Sequence, residues 1–363
     1  MVKQINFNGI DRLYDAYSWR LTRRAKRVWR SGVVLTGKDN PNSERAQLEN
    51  NIAKYTKRKY ALAVQSGTDA LYFALRAHSI GPGKKVMCPA YSFLSTATAI
   101  KRTRADIIFI DVDKDGQIGS LELKQKPDAV VYVNLFGNLA EYHRLSTYCK
   151  DNKIPLIEDA AQSFGAFYKK IPSGKLGDTS ILSFSPTKNL PCFGNGGMVL
   201  TDNEYIADTI KSLRYHGVGK NLVPYGYNSV MSEDHCAQVN FLLSKYKKLQ
   251  KKRQCVREWY EIELYKLGIL LFKTQKDTIS SNHKLVISVN NRDKLKEFLA
   301  SKGIETQIHY KTILPYTEYF NSKELFPMAT DISREALTLP LYPHLTKEEV
   351  LYVCNTIKDF YGV

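Results

Sequence analysis

Residues 60–83 read YALAVQSGTDALYFALRAHSIGPG. The segment opens with an apolar run, Tyr60–Val64, that has the length of a buried strand. A helical pattern follows at Thr68–Ser79 and stops at the turn residues Gly81-Pro82-Gly83. A strand that leads directly into a helix is the repeating unit of a parallel sheet covered by helices. The segment therefore predicts an α/β fold if the unit recurs along the chain.

The unit recurs up to about residue 202. Six further short runs, rich in Val, Ile and Phe, alternate with helix-like stretches: Val86–Pro89, Ile107–Val112, Ala129–Phe136, Pro155–Glu158, Ile181–Phe184 and Met198–Leu200. Several of these runs lack a polar and apolar alternation, which is typical of strands buried on both faces. We therefore expect a mostly parallel, seven-stranded sheet in a large α/β domain at residues 1–235, which also includes an N-terminal helical segment.

The character of the sequence changes after about residue 230. Ser232–Leu264 reads as one or two long helices. A strand-like run at Leu285–Val289 and two helical patterns, Arg292–Ser301 and Thr346–Phe360, come after it. We assign residues 236–363 to a small α+β C-terminal domain.

Composition and cysteine spacing limit the classes to which the protein can belong. A chain of 363 residues with 43% hydrophobic residues can bury a sizeable core. It contains no apolar run near the roughly 18 residues of a membrane span, and its N-terminus lacks the apolar run of a signal peptide. The six cysteines are scattered without a C-x-x-C pair, which argues against a zinc or iron–sulfur site. We expect a cytoplasmic protein with reduced thiols and no metal site.

The formal net charge is +17, and much of it lies in Arg20–Arg30 and Lys245–Arg257. We interpret each run first as a helix with a solvated basic face. Attraction of an anionic substrate is the second interpretation. Nucleic-acid binding comes last, because no helix-turn-helix, zinc-finger or RNA-binding motif accompanies the charge.

Polar residues follow three of the predicted strands, and the first group is Gly67 and Thr68. Gly67 lets the backbone approach a ligand closely, and Thr68 offers a hydroxyl group at the start of a helix. The free N–H groups there suit a phosphate, although the same residues could serve only as a helix cap. The segment has neither a phosphate-loop lysine nor a G-x-G-x-x-G pattern, so it does not favour a nucleotide triphosphate or nicotinamide site.

The second group is Glu158 and Asp159, at the end of an apolar strand. A buried acid is costly unless a cation pairs with it, and a protonated pyridine nitrogen is such a cation. Metal binding is the competing interpretation. Because adjacent residues of a strand point to opposite faces, only one of the two acids can enter a site.

The third group is SFSPTKNL, residues 183–190, followed by the glycine-rich residues 194–197. Lys188 comes just after a buried strand, where its amine can be partly desolvated. Desolvation lowers the pKa of a lysine and makes its amine a nucleophile that can form a Schiff base. In a chain this basic, the competing interpretation is an ordinary surface lysine.

Taken together, SGTDAL at 66–71, EDAAQ at 158–162 and SFSPTKNL at 183–190 resemble the sugar-nucleotide aminotransferases of the StrS/DegT group. These are fold-type I enzymes that use pyridoxal 5′-phosphate (PLP). The resemblance covers roughly residues 30–355. It implies an aspartate-aminotransferase-like fold, PLP as cofactor, and a homodimer with composite active sites.

The resemblance also implies a role for individual residues. Lys188 would form the Schiff base with the cofactor and shuttle the proton, and Asp159 would pair with the pyridine nitrogen. The other positions are Phe93 on the ring face, Gln162 near the ring hydroxyl, Gly67, Thr68 and Ser183 at the cofactor phosphate, Asn228 from the other subunit, and His309 and Tyr310 near the sugar nucleotide. One departure is that Ser229 and Val230 stand where family members usually have an arginine, which bears on the dimer-facing loop.

The reaction implied is a ping-pong transamination that makes an amino sugar for glycan or natural-product biosynthesis. L-glutamate gives its amino group to the cofactor and leaves as 2-oxoglutarate, and a nucleotide-linked keto sugar then takes that group. The PTKNL sequence around Lys188 resembles family members that act on 3-keto sugars, which implies a 3-keto-6-deoxyhexose as acceptor, with the 4-keto isomer next. Two alternatives remain open: another fold-type I PLP enzyme with a non-sugar substrate, and a non-catalytic binding or regulatory protein.

Overall fold

The computed structural model describes residues 4–36, 40–119, 121 and 125–362. Within these residues the strands are β1 (Tyr60–Val64), β2 (Lys85–Pro89), β3 (Asp106–Ile110), β4 (Ala129–Val133), β5 (Leu156–Asp159), β6 (Phe167–Tyr168), β7 (Ile171–Pro172), β8 (Thr179–Ser183), β9 (Gly197–Thr201), β10 (Thr278–Ile279), β11 (Leu285–Ser288) and β12 (Ala336–Leu339). The helices are α1 (Ile10–Ser31), α2 (Glu44–Thr56), α3 (Gly67–Ala77), α4 (Leu94–Arg102), α5 (Tyr142–Asp151), α6 (Glu204–Arg214), α7 (Glu233–Lys266), α8 (Arg292–Ser301), α9 (Pro327–Glu335) and α10 (Lys347–Tyr361). Two short 3₁₀ turns lie at Leu135–Gly137 and Leu314–Tyr316.

Seven strands form the main sheet in the order β1-β9-β8-β5-β4-β2-β3. Strand β9 runs antiparallel to both of its neighbours, and the other neighbouring pairs are parallel. This is the seven-stranded, mostly parallel sheet that the apolar runs predict. The carboxyl ends of the six parallel strands therefore meet at one edge, where open α/β sheets bind their ligands.

Helices cover both faces of the main sheet, as strands buried on both sides require. Along β1, Leu62 and Val64 pack in a cluster with residues of α3 and α6, while Ala61 and Ala63 pack in a second cluster with α1, α2 and α7. Successive residues of one strand thus belong to two different cores. This explains why the sequence of β1 is apolar without alternation.

Two strands, β3 and β4, end two and three residues earlier than the sequence predicts. Strand β3 ends at Ile110, because Val112 leaves the sheet and pairs with Ile118 in an isolated bridge. Strand β4 ends at Val133, and Phe136 lies in the left-handed region at φ 63° within a 3₁₀ turn. A bulky apolar residue rarely takes that conformation, so the local sequence gives no sign of the turn.

The region after residue 230 begins with a single helix, α7, of 34 residues. Its first half packs with the large sheet, and its second half packs through Val256, Tyr260 and Leu264 into another core built on β11, β12, α8 and α10. Ile5 belongs to this second core as well. The division of the chain into domains after residue 235, which α7 crosses, stays a prediction.

The two basic runs lie on α1 and α7. On α7, Lys247, Lys248 and Lys251 are exposed, whereas Arg253 and Arg257 are buried. The first run is likewise exposed for the most part. The solvated helix face is therefore the interpretation that fits most of these charges. None of the helices in the described ranges is both long and apolar enough to cross a membrane.

Candidate active site

A cavity of about 510 Å³ opens at the carboxyl ends of β1, β5 and β8. Residues of the C-terminal region close its other side. Nine of the ten site residues that the sequence singles out line this cavity: Gly67, Thr68, Phe93, Asp159, Gln162, Ser183, Lys188, His309 and Tyr310. A volume of this size is in the range of small-molecule and cofactor sites.

The N-terminus of α3 forms one end of the cavity. Ser66 caps the helix, and its hydroxyl oxygen accepts a hydrogen bond of 3.1 Å from the N–H of Asp69. A Cβ atom on Gly67 would lie 2.9 Å from Cβ of Ser183, so only glycine fits beside that residue. The first N–H groups of a helix have no partner within the helix and attract anions. This end of the cavity is therefore a phosphate-binding geometry.

Asp159 lies at the end of β5 and is buried. Its carboxylate accepts a hydrogen bond of 3.1 Å from the N–H of Ala161 and one of 3.4 Å from the hydroxyl of Thr96. Burial raises the pKa of Asp159, while these hydrogen bonds and the charge of Lys188 lower it in part. A cation beside this carboxylate would offset the cost of its burial.

Glu158 points away from the cavity, as the alternation of a strand predicts. Five groups donate hydrogen bonds of 2.7–3.1 Å to its carboxylate: the side chains of Asn134, Ser173 and Ser180 and the N–H groups of Gly174 and Leu176. Glu158 is fully buried, so these donors replace the water that it loses. The residue holds the loop after β7 against the sheet.

Lys188 follows β8 in a tight turn, in which its N–H donates to the carbonyl oxygen of Ser185 at 2.9 Å. Burial lowers the pKa of Lys188, and the negative charge of Asp159 raises it in part. The next residue fixes the turn. The Asn189 amide donates to the carbonyl oxygen of Ser281 at 2.9 Å and contacts His283 at 3.1 Å. Lys188 is thus an amine held in a desolvated position beside a buried acid.

Aromatic rings and an amide line the opposite wall. Phe93 caps α4 with 55% of its surface exposed, and its ring centroid lies 6.1 Å from that of Tyr310. Gln162 accepts a hydrogen bond of 2.9 Å from the N–H of Phe136 and donates one of 3.1 Å to the hydroxyl of Tyr310. A flat ligand that covers an exposed aromatic ring at a cavity mouth removes apolar surface from water, which stabilises the bound ligand.

His309 and Tyr310 enter the cavity from the C-terminal region. The hydroxyl of Tyr91 donates to the carbonyl oxygen of His309 and accepts from the N–H of Tyr310. Burial, together with the charges of Lys284 and Lys188, lowers the pKa of His309 to about 3. Its imidazole is therefore neutral near pH 7 and can offer a ligand hydrogen bonds but no charge.

Asn228 does not line the cavity of its own chain. It is exposed and pairs with Tyr215 in an isolated bridge on the loop after α6. The neighbouring Ser229 is buried instead, and its hydroxyl donates to the carboxylate of Asp69 at 2.7 Å. Serine at this position therefore ties the loop to α3.

Sequence reasoning misses several residues of the cavity wall. They include Asn8, Ser92, Gln307 and, most notably, Lys284. Lys284 stands just before the strand predicted at Leu285–Val289. That strand is the only feature that the immediately neighbouring sequence predicts, and it does not indicate a site residue. Only the packing of distant segments places Lys284 in the same cavity wall as Lys188.

Comparison with known proteins gives a family. The family model described as the DegT/DnrJ/EryC1/StrS aminotransferase family matches residues 19–358. A protein of Geobacillus stearothermophilus named pleiotropic regulatory protein is 32% identical over 329 residues, which cover 87% of this chain and 88% of that protein. The UDP-2-acetamido-2-deoxy-3-oxo-D-glucuronate aminotransferase of Pseudomonas aeruginosa is 28% identical over 345 residues, covering 92% and 94% of the two chains.

The fold is also found in a solved structure. The X-ray structure of S. venezuelae DesV in complex with a ketimine intermediate superposes with a TM-score of 0.93 at 28% identity. The match covers 99% of this chain and 99% of that one.

Proposed function

Because the chain belongs to the DegT/DnrJ/EryC1/StrS aminotransferase family, we propose that it moves an amino group from L-glutamate to a nucleotide-linked keto sugar. Its cofactor is PLP. The observation that supports this proposal best is the arrangement around one cavity of a helix N-terminus, a buried acid and a desolvated lysine.

The residues of the cavity fit PLP. The N-terminus of α3, with Ser183 against Gly67, suits the phosphate group, and the buried Asp159 suits the protonated pyridine nitrogen. Phe93 offers an exposed ring to cover the flat cofactor. When bound, PLP supplies a carbonyl that takes up the amino group and a ring that withdraws electrons from the reacting carbon.

The protein contributes binding, orientation and proton transfer. Lys188 would attach the cofactor and move the proton at the reacting carbon, because burial lowers the pKa of its amine and so favours the neutral, nucleophilic form. Asp159 keeps the pyridine nitrogen protonated. His309 and Tyr310 contact the sugar nucleotide, with His309 as a neutral hydrogen-bonding group.

The acceptor is a nucleotide-linked 3-keto-6-deoxyhexose, with the 4-keto isomer as the second choice. Two arguments support the 3-keto position: the PTKNL sequence at 186–190, and the P. aeruginosa relative, whose name contains a 3-oxo sugar nucleotide. The carbon that reacts depends on how the hexose lies over Lys188, which is set by packing around the bound sugar.

The working unit is a homodimer. Asn228 is exposed and lies outside the cavity of its own chain, which suits a residue that completes the site of a second subunit. The roles of Asn228 and of the other site residues are part of this proposal.

A panel assay tests the function. Purified protein loaded with PLP receives L-glutamate and either a 3-keto or a 4-keto nucleotide-linked 6-deoxyhexose, and NMR locates the new C–N bond. We expect amination at C3. Amination only at C4 would overturn the choice of carbon, and amination of neither sugar would overturn the class of acceptor.

The G. stearothermophilus relative is named a pleiotropic regulatory protein, so a regulatory role is the second candidate function for this chain. A protein that only binds PLP would not need a desolvated lysine next to a buried acid. Lys188→Ala separates the two functions, because it removes turnover from an enzyme. If wild-type protein and Lys188→Ala are equally inactive with every amino donor and keto sugar of the panel, the enzyme proposal fails.

A further inference from the structure

Lys284 carries a second amine in the wall of the cavity. It precedes β11, and its N–H donates to the carbonyl oxygen of Phe136 at 3.1 Å. Its Nζ atom lies 4.4 Å from the centroid of the Phe7 ring. Lys284 and Lys188 line this cavity together, and they also line a much smaller one of about 50 Å³ next to it.

Among the described residues, the surroundings of Lys284 contain cations and no acid paired with its amine. Burial, together with the charges of Lys188 and Arg253, lowers its pKa to about 7. Arg253 uses its guanidinium on the carbonyl oxygens of Asn282 and Leu341. Asp159 is the one acid among the described residues that line the cavity, and its charge acts on Lys188.

An ammonium group without an anion is costly to bury. The nearby imidazoles of His283 and His309 cannot offset this cost, because an imidazole carries no negative charge in either protonation state. The ring of Phe7 covers the amine on one side, which weakens screening by water and strengthens its attraction for an anion. The site is therefore incomplete without a negatively charged ligand.

We propose that Lys284 binds the α-carboxylate of the amino donor. This inference rests on the proposed function, because it assigns a residue to the first of the two substrates.

The two substrates differ in how far their anionic group lies from the reacting atoms, and this difference favours the amino donor as the ligand of Lys284. In an α-amino acid the carboxylate is attached to the carbon that bears the reacting nitrogen. In a sugar nucleotide the diphosphate is attached through oxygen at C1, at least one ring carbon away from a carbonyl at C3 or C4. The reacting carbon must lie at Lys188, and Lys284 lines the same two adjoining cavities as Lys188. The neighbouring anion is thus the α-carboxylate.

The experiment uses the PLP-loaded protein and three variants. Lys284→Met removes the charge and keeps an unbranched side chain, and Lys284→Arg keeps the charge. Lys248→Met is the matched control, because Lys248 is an exposed lysine on α7 outside the cavity. Two quantities are measured: binding of glutarate, which has both carboxylates but no amino group, by calorimetry, and the KM values for L-glutamate and for the keto sugar nucleotide.

We expect Lys284→Met to weaken glutarate binding and to raise the KM for L-glutamate, each by about tenfold to a hundredfold, as for a lost charge-assisted hydrogen bond. The KM for the sugar nucleotide should change little. Lys284→Arg should restore most of the affinity, and Lys248→Met should match the wild type.

Unchanged glutarate binding in Lys284→Met would overturn the inference. So would a rise in KM confined to the sugar nucleotide, which would place the diphosphate or a sugar carboxylate at Lys284. Both results leave the aminotransferase proposal intact, since the wild-type protein still turns over. Wild-type protein that takes no amino group from any amino acid would overturn the proposed function itself.

Discussion

At the scale of the residue, the adjacent acids of β5 have opposite surroundings. Asp159 reaches the cavity with two hydrogen-bond donors, while five groups surround Glu158 on the other face. The two acids are nearly equally buried. Because their partners differ, removing the carboxylate of Asp159 and that of Glu158 should have different effects on the protein.

Asp159→Asn should reduce transamination by orders of magnitude while PLP still binds, because an amide cannot stabilise a protonated pyridine nitrogen. The steady-state rate and the cofactor absorbance of the purified variant check this expectation. Glu158→Gln serves as the matched comparison. It should instead lower the free energy of unfolding by about 2–4 kcal/mol, since it leaves buried donors with a poorer acceptor. An unaltered rate in Asp159→Asn would show that this carboxylate is only structural.

Lys284 allows a test of stability against pH on the cofactor-free protein. Its pKa of about 7 in the folded chain lies below the 10.5 of an unfolded lysine. Between these values the unfolded chain binds more protons, so the stability of the wild type rises with pH, and the cost of burying the charge is complete below pH 7. Lys284→Met avoids this cost. Its gain in melting temperature over the wild type should therefore be larger at pH 6 than at pH 9.

The control for this prediction is Lys248→Met, which should show no such dependence. An equal gain at both pH values would mean that packing, and not charge, accounts for the difference between Lys284→Met and the wild type.

At the scale of the element, the start of α3 leaves its backbone open to the close approach of a ligand. A Cβ atom at residue 67 would lie 2.9 Å from Cβ of Ser183, and one at Gly197 would lie 2.3 Å from the carbonyl carbon of Ser66. The strand-to-helix turn is therefore pressed against the ends of β8 and β9. Backbone N–H groups can point at a ligand only because no side chain fills this space.

Gly67→Ala should weaken PLP binding roughly tenfold or more, because Ser183 or the helix start must shift by more than a phosphate site tolerates. Titration of the cofactor-free protein with PLP measures the change. Gly81→Ala is the control, since the nearest atom to its Cβ would be the flexible end of Arg76 at 3.3 Å. Equal affinities in Gly67→Ala and the wild type would contradict the assignment of this turn to the phosphate.

Elements that repeat a strong local pattern could be predicted from the sequence. The seven-stranded sheet and the family are confirmed, and α8 has the bounds predicted for it. The end of β4 could not be predicted, because Phe136 takes its left-handed conformation under tertiary forces. Lys284 could not be found for a related reason. It lines the same cavity as Lys188, which lies 96 positions earlier in the chain, and no local sequence pattern indicates that the two residues share a cavity.

At the scale of the whole molecule, Asn228 is the one predicted site residue that lies outside the cavity. If it completes the site of a second subunit, each active site draws on two chains. A mixture of Lys188→Ala and Asn228→Ala proteins should then recover part of the activity, because one of the hybrid sites receives both intact residues. Each variant alone, carried through the same mixing steps, is the control. Full activity in a strictly monomeric fraction would contradict the composite site.

The pairing of Ile5 with Ile304 has a consequence for synthesis on the ribosome. The N–H of Ile5 donates to Gly303 and its carbonyl oxygen accepts from Glu305, both at 2.9 Å, within a core that extends to Ile357. At about 5–20 residues per second, roughly a quarter of a minute to a minute of translation separates Ile5 from its partner. The main sheet, whose strands end at residue 201, emerges long before then. The segment around Ile5 can therefore take its place in this core only after residues 303–305 have been made.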